Sequence, residues 1–128
     1  MCNTLFSLIL WACIQTNVPV TVTDYQVSNA NPPLIIIYSI YKVISYFPVD
    51  EQVTASRVFW CESRWNRNHI GAYGELSVAQ IHPVHWARLG LTDDWYLDDE
   101  IVGWAARNIW DIQGWSAWSG CYEGTLLR

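Results

Sequence analysis

The chain has 128 residues, a length typical of one globular domain, and 52% of them are hydrophobic, which is enough to bury a core. Its formal net charge is −5 and its seven basic residues are scattered along the sequence. Because a nucleic-acid binder needs a basic stripe to neutralise phosphates, this composition argues against nucleic acid as a partner. Nine tryptophans are expected mainly in the core, with some rings free to stack on sugars.

Residues 1–33 are predicted to form an export leader and linker. The apolar run over residues 5–14 is too short to span a bilayer and has the length of a signal-peptide core, although the first basic residue is Lys42. The Pro32-Pro33 pair indicates an extended linker. We therefore expect an exported protein (periplasmic, extracellular or in the cell envelope), with a phage association left open.

Residues 34–128 are predicted to form the folded domain. A second apolar run over residues 34–47 contains Ser39, Lys42 and Ser45, which favour a core helix or strand over a membrane anchor. Membrane association through the N-terminal apolar segment stays open, and we expect the protein to be a monomer.

The four cysteines divide into two pairs. Cys2 and Cys13 lie in the predicted leader, so its removal would leave Cys61 and Cys121, an even number that suits an oxidising compartment. A bond between them would stabilise the fold by about 4 kcal/mol in the chain-entropy model. Two unrelated buried thiols are the alternative, and we favour the disulfide.

Glu62 falls in the last turn of a helix predicted over residues 50–63, which follows Pro48 and has Asp50 as a candidate cap. Free carbonyls at a helix end carry partial negative charge, and neighbouring aromatic rings exclude water. Both effects disfavour a carboxylate and raise its pKa. A glutamic acid that keeps its proton near neutral pH is suited to protonate a glycosidic oxygen.

The other predicted elements are also helical, so the domain is expected to be mainly α. Glycines at positions 71 and 74 mark a turn, a short helix over about residues 84–89 ends at Gly90, and a final helix runs from Asp98 to Gly114. Apolar periodicity gives candidate buried stripes. In the first helix these are Val53, Arg57 and Trp60 or, adjoining them, Val58, Phe59 and Glu62; in the last helix the stripe is Ile101, Ala105, Asn108 and Ile112.

Other chemistries have weak support. His82 and His85 are split by a proline and lack a third ligand nearby, so we expect no metal. Ser63 lacks the flanking glycines of a nucleophile elbow, and the acidic residues 93–100 lack the spacing of a calcium loop. No phosphate-binding glycine loop is present, and we expect no cofactor.

Four segments together resemble the lysozyme-like lytic transglycosylase (SLT) family. They are CESRWN (residues 61–66), GELSVAQIHP (residues 74–83), LDDE (residues 97–100) and WSAWSGC (residues 115–121). The Glu-Ser pair alone is not specific, but its ordered combination with the later glutamine and the Trp/Cys ending is. The resemblance covers about residues 49–121.

The resemblance implies a lysozyme-like helical fold and cleavage of the β-1,4 bond between N-acetylmuramic acid and N-acetylglucosamine in peptidoglycan. One glutamate, here Glu62, would serve as acid and then base, leaving a 1,6-anhydro product. Ser63 and Gln80 would help to hold the substrate, and Tyr73, Glu75 and His82 are further cleft candidates. Gln80 suits this role because its amide both donates and accepts hydrogen bonds.

The chain departs from the family pattern at several positions. Ser77 replaces the second glycine of the turn, so its backbone is expected to avoid conformations that only glycine tolerates. Asp99 stands where proline is common, and the late Tyr-Asn motif that assists the glutamate in many transglycosylases is missing. These departures keep a hydrolysing lysozyme or a chitin-active relative open, as well as a glycan-binding cell-surface domain without turnover.

Glu75 replaces a small residue of the family pattern and carries its own hypothesis. It would be the base that activates water in an inverting hydrolysis, which requires the two carboxyl groups to lie roughly 6.5–9.5 Å apart. The alternative is a solvated turn glutamate or a residue that orients Glu62, and we favour this alternative.

Overall fold

The computed structural model describes residues 34–126, with side chains for residues 35–124. Within that part the chain is mainly helical and has no β-strand, which confirms the predicted class; the lysozyme-like topology stays a prediction. The α-helices are α1 (Leu34–Ile44), α2 (Gln52–Ser63), α3 (Trp86–Leu89), α4 (Asp99–Gln113) and α5 (Ser119–Leu126), and 3-10 helices cover Val49–Glu51, Pro83–His85, Trp95–Leu97 and Gly114–Trp118. The predicted leader and linker, with Cys2 and Cys13, lie outside the described residues.

Helix α1 forms the predicted core element of the second apolar run. Val43 is fully buried, and Phe47 is buried just beyond the helix end, whereas Tyr38 and Tyr41 face solvent. Within residues 34–126, no helix is both long enough and apolar enough to cross a bilayer.

Helices α1 and α4 pack closely because Gly103 of α4 has no side chain. A Cβ added there would lie 2.5 Å from the Tyr46 ring and 3.0 Å from the Val43 carbonyl oxygen. Glu100 reinforces the contact by accepting a hydrogen bond from the Tyr46 hydroxyl and pairing with Lys42 at 3.0 Å.

Helix α2 buries the second of its two predicted stripes. Val58 and Phe59 are fully buried, whereas Val53 of the first stripe is 61% exposed. The predicted Asp50 cap is wrong, because the chain enters α2 through the 3-10 helix Val49–Glu51 and neither helix has a side-chain cap at its start.

Helix α4 begins and ends where the sequence predicts. The Asp98 side chain accepts hydrogen bonds from the first backbone N–H groups of the helix, and Gly114 ends it with a φ of 58°. Of the predicted stripe Ile101, Ala105, Asn108 and Ile112, only Ala105 is buried, and Ile112 is 67% exposed. The buried face, rotated by about one residue, consists of Val102, Gly103, Ala105, Ala106 and Ile109. It is rotated because the small residues of α4 allow α1 to approach.

Aromatic rings fill the core between α2 and the C-terminal helices. Phe59 makes edge contacts with Trp65, Trp115 and Trp118, at ring-centroid distances of 6.1, 6.3 and 5.6 Å. The Phe47 ring stacks on Trp115 at 5.5 Å. These contacts agree with the expectation that tryptophan serves mainly as core.

The Cys61–Cys121 disulfide confirms the predicted pairing. It joins the last turn of α2 to the first turn of α5, with the two Cα atoms 5.6 Å apart. Its sequence separation of 60 residues makes it a long-range link between α2 and α5.

Arg67 ties the loop after α2 to α1 and α4. Its guanidinium donates to the Ser39 hydroxyl at 2.9 Å and pairs with Asp99 at 3.2 Å. A cavity of about 440 Å³ lies beside this ion pair. Glu62 does not line it, so the candidate catalytic carboxyl group belongs to a different cleft.

Candidate active site

Glu62 is presented at the C-terminal end of α2. The helix stops at Arg64, which adopts a left-handed backbone with a φ of 55° and donates its N–H to the Trp60 carbonyl oxygen at 2.9 Å. Glu62 therefore sits in the last turn, as predicted, and its side chain is half-buried.

Residues 69–82 form the loop that faces this carboxyl group. Leu76 and Ile81 pair through two backbone hydrogen bonds, of 3.3 and 2.9 Å, and enclose the tight turn over residues 77–80. The turn places Gln80 in a left-handed conformation with a φ of 48°.

The expectation for Ser77 is wrong. Its φ is 74°, so it adopts the left-handed backbone that the family's glycine would favour. Its hydroxyl accepts a hydrogen bond from the Ala79 N–H at 3.2 Å, and the residue is fully buried. This local bond offsets part of the strain, which explains how serine is accommodated.

Ser63 fastens the turn to α2. Its buried hydroxyl contacts the carbonyl oxygens of Val78, at 2.7 Å, and Phe59, at 3.2 Å. It does not line the cleft beside Glu62. The structure thus places Ser63 behind the candidate site, where it supports the loop.

Gln80 is held firmly from one side. Its side-chain N–H₂ donates to the carbonyl oxygens of His69, at 3.0 Å, and Ser77, at 2.8 Å. Because both donor hydrogens are used within the protein, the amide oxygen is the group of Gln80 that is left to accept a hydrogen bond from a ligand.

Glu75 is fixed by the backbone of the same loop. Its Oε2 accepts a hydrogen bond from the Tyr73 N–H at 2.9 Å, and its own carbonyl oxygen accepts one from the Gly71 N–H at 2.9 Å. The second carboxylate therefore has a defined position on the wall of the cleft.

A cleft of about 690 Å³ brings the candidate residues together. Five of the predicted site residues line it, namely Glu62, Tyr73, Glu75, Gln80 and His82. Residues 117–120 also line it, including Trp118, whose indole N–H donates to the Ala79 carbonyl oxygen at 2.7 Å. Tyr73 is 78% exposed, so its ring is available to a ligand.

All three histidines of the chain line this cleft, as His69, His82 and His85. His82 uses Nδ1 to accept a hydrogen bond from the Val84 N–H at 3.1 Å, which caps the following 3-10 helix. Burial lowers the pKa of His85, and the neighbouring charges of Arg88 and His82 make smaller contributions in the same direction. Among the described residues, no group of His, Cys, Asp and Glu side chains is arranged to hold a metal ion.

Sequence reasoning missed His69, His85 and the wall over residues 117–120. The Trp/Cys ending was visible as a motif, but only the disulfide and the long-range packing of Trp118 bring it into the cleft that Glu62 lines.

Burial raises the pKa of Glu62 to about 7, and the negative charge of Glu75 acts in the same direction. The predicted direction is thus confirmed. The sequence places Glu75 near Glu62 as a candidate base or orienting residue, but it does not predict that the Glu75 charge raises the Glu62 pKa. At neutral pH a large fraction of Glu62 carries a proton, which is the form that can act as a general acid.

Comparisons of the chain with protein-family models, with curated proteins and with solved structures found no match. The likeness to the transglycosylase family consequently rests on the motif residues alone.

Proposed function

We propose that this protein is an exported lytic transglycosylase that cleaves the β-1,4 bond between N-acetylmuramic acid and N-acetylglucosamine in peptidoglycan. The observation that carries the proposal is a half-buried glutamic acid with a pKa of about 7 in an open cleft. The ordered motif residues around it add the substrate class.

The proposed reaction uses Glu62 twice. Its carboxyl group donates a proton to the glycosidic oxygen as the bond from that oxygen to C1 breaks. The resulting carboxylate then takes the proton of the sugar's own 6-hydroxyl, whose oxygen bonds to C1. Glu62 recovers its proton, and the product ends in a 1,6-anhydro ring.

The remaining cleft residues have supporting roles in this proposal. The Gln80 amide oxygen would accept a hydrogen bond from the sugar, because its N–H₂ group is already engaged. The exposed Tyr73 ring would pack against a sugar face, with His82 close by in the same cleft.

A hydrolysing muramidase is the second candidate, and the presence of Glu75 in the same cleft favours it. In that reaction Glu75 would take a proton from water as the water attacks C1. We place it second because the Tyr73 N–H already holds the Glu75 carboxylate and because Glu75 has an evident electrostatic role toward Glu62.

The decisive substitution is Glu62→Gln, which keeps the shape of the side chain and removes its proton chemistry. We expect lysis of purified peptidoglycan to fall by roughly 10²- to 10⁴-fold, the usual contribution of a general acid, while glycan binding persists. Turbidity loss measures the first quantity, and a pull-down with cell-wall sacculi measures the second.

The matched control is Glu123→Gln, which alters an exposed carboxylate outside the cleft and should leave lysis unchanged. Mass spectrometry of the wild-type digest should show anhydro-muropeptides. Reducing ends alone would transfer the assignment to the hydrolase, and wild-type protein that binds sacculi without lysing them would support the glycan-binding alternative.

A further inference from the structure

Gly71 lies at the base of the loop that carries Glu75 and Gln80. Its N–H donates to the Glu75 carbonyl oxygen at 2.9 Å, and its carbonyl oxygen accepts a hydrogen bond from the Gly74 N–H at 3.1 Å. Residues 71–75 are therefore closed into a compact turn at the edge of the cleft.

The two functional side chains of this loop occupy the space beside the Gly71 backbone. A Cβ added at Gly71 would overlap the Glu75 Oε2 atom, and it would lie 2.8 Å from the Gln80 Oε1 atom and 2.9 Å from the Glu75 Cβ atom. Both side-chain oxygens thus pack directly against a position that has no side chain.

Neither side chain can give way without losing a partner. The Glu75 Oε2 atom is held by the Tyr73 N–H, and the Gln80 N–H₂ group is held by the carbonyl oxygens of His69 and Ser77. Moving either oxygen away from Gly71 would stretch or break these bonds.

Gly71 is needed for space rather than for backbone freedom. Positive φ values occur at Gly74, Gly90 and Gly114, whereas Gly71 is not among the residues with positive φ. An alanine at this position would accordingly meet no left-handed strain, and its effect would come from the side chains it displaces.

We propose that Gly71 is a positioning residue: the missing side chain lets the Glu75 carboxylate and the Gln80 amide occupy fixed places on the cleft wall, with the Glu75 charge acting on Glu62. Its importance for turnover rests on the function proposed above. The effect of Gly71 on Glu75 and Glu62 does not rest on the proposed function, and it can be measured without substrate.

The test is the pKa of Glu62, measured by NMR titration of the side-chain carboxyl carbon in the full chain. Glu75→Gln should lower it, because a raising charge is removed. Gly71→Ala should lower it as well, since a Glu75 carboxylate that loses the Tyr73 N–H would turn toward water. Within the Gly71→Ala variant, adding Glu75→Gln should then have a smaller effect than it has in the wild type.

Gly124→Ala is the matched control. Gly124 is an exposed helical residue whose added Cβ would meet nothing within 4 Å, so the Glu62 pKa should not change. An unchanged pKa in Gly71→Ala, or an equal response to Glu75→Gln in both backgrounds, would overturn the proposal.

A stability cycle covers the case in which Gly71→Ala folds too poorly for titration. Removing the overlapping carboxylate with Glu75→Ala should then restore part of the lost melting temperature. A double variant no more stable than Gly71→Ala would count against the proposal. Absence of lytic activity in the wild type would refute the proposed function and leave these measurements unaffected.

Discussion

At the residue scale, the proposed chemistry depends on the proton of Glu62. Burial and the Glu75 charge together raise its pKa to about 7, so the acid form dominates below neutrality and is lost above it. A general acid must carry its proton to act, so Glu62 is in its active form at pH values below its pKa.

We therefore expect kcat/KM for peptidoglycan lysis to fall by roughly tenfold per pH unit above pH 7. Glu75→Gln should move this descending limb to lower pH, because the Glu62 pKa falls when the neighbouring charge is removed. A pH series of initial lysis rates for both proteins measures the effect.

The same variant separates the two candidate reactions. If Glu75 were the base of an inverting hydrolase, Glu75→Gln would lose roughly 10²- to 10⁴-fold in rate at every pH instead of shifting the profile. A wild-type rate that stayed constant up to pH 9 would contradict the role given to Glu62.

At the scale of elements, α2 and the turn over residues 77–80 are joined by a buried hydrogen bond. Ser63→Ala would leave the Val78 carbonyl oxygen without that partner, and the expected loss is about 1–3 kcal/mol in the free energy of unfolding. Urea denaturation measures it, and Ser116→Ala, which removes an exposed hydroxyl, should cost much less.

This substitution also tests the sequence-based role of Ser63. If the Ser63 hydroxyl contacted substrate, its removal would raise KM with little change in stability. The structural role predicts instead that Ser63→Ala lowers the denaturation midpoint. An unchanged denaturation midpoint together with a raised KM would show that Ser63 binds substrate.

Local signals predicted both ends of α4 and the C-terminal end of α2, but not the start of α2, and long-range packing decided the rest. Asp98 and Gly114 delimit α4 through interactions within a few residues, so the sequence suffices there. The buried face of α4 depends on how closely α1 approaches Gly103, and of the stripe drawn from periodicity alone only Ala105 is buried.

The candidate site shows the same division. The position of Glu62 in the last turn of α2 follows from local sequence, and so does the direction of its pKa shift. The influence of Glu75, the left-handed Ser77 and the wall containing Trp118 all require contacts that a linear pattern does not contain.

At the scale of the whole molecule, the disulfide connects two residues that are next to cleft residues in the chain. Cys61 precedes Glu62, and Cys121 follows Gly120, which lines the same cleft. Its removal therefore affects the unfolded chain and, in the folded protein, the link between α2 and residues 117–120.

We expect replacement of both Cys61 and Cys121 by serine to cost about 2–5 kcal/mol in the free energy of unfolding. Thermal denaturation should also show that a reducing agent lowers the melting temperature of the wild type and leaves that of the double variant unchanged. Equal melting temperatures for the two oxidised proteins would contradict this contribution.

Two segments that line the cleft, residues 69–82 and 117–120, are anchored to α2 or to the turn over residues 77–80. The anchors are the Cys61–Cys121 disulfide, the hydrogen bond from Ser63 to Val78 and the hydrogen bond from Trp118 to Ala79. These links hold both segments in place in the free protein, so the cleft is already formed before a polymer binds. A sugar strand would enter a cleft that is already shaped, and the conformational freedom lost on association would be mostly that of the strand itself.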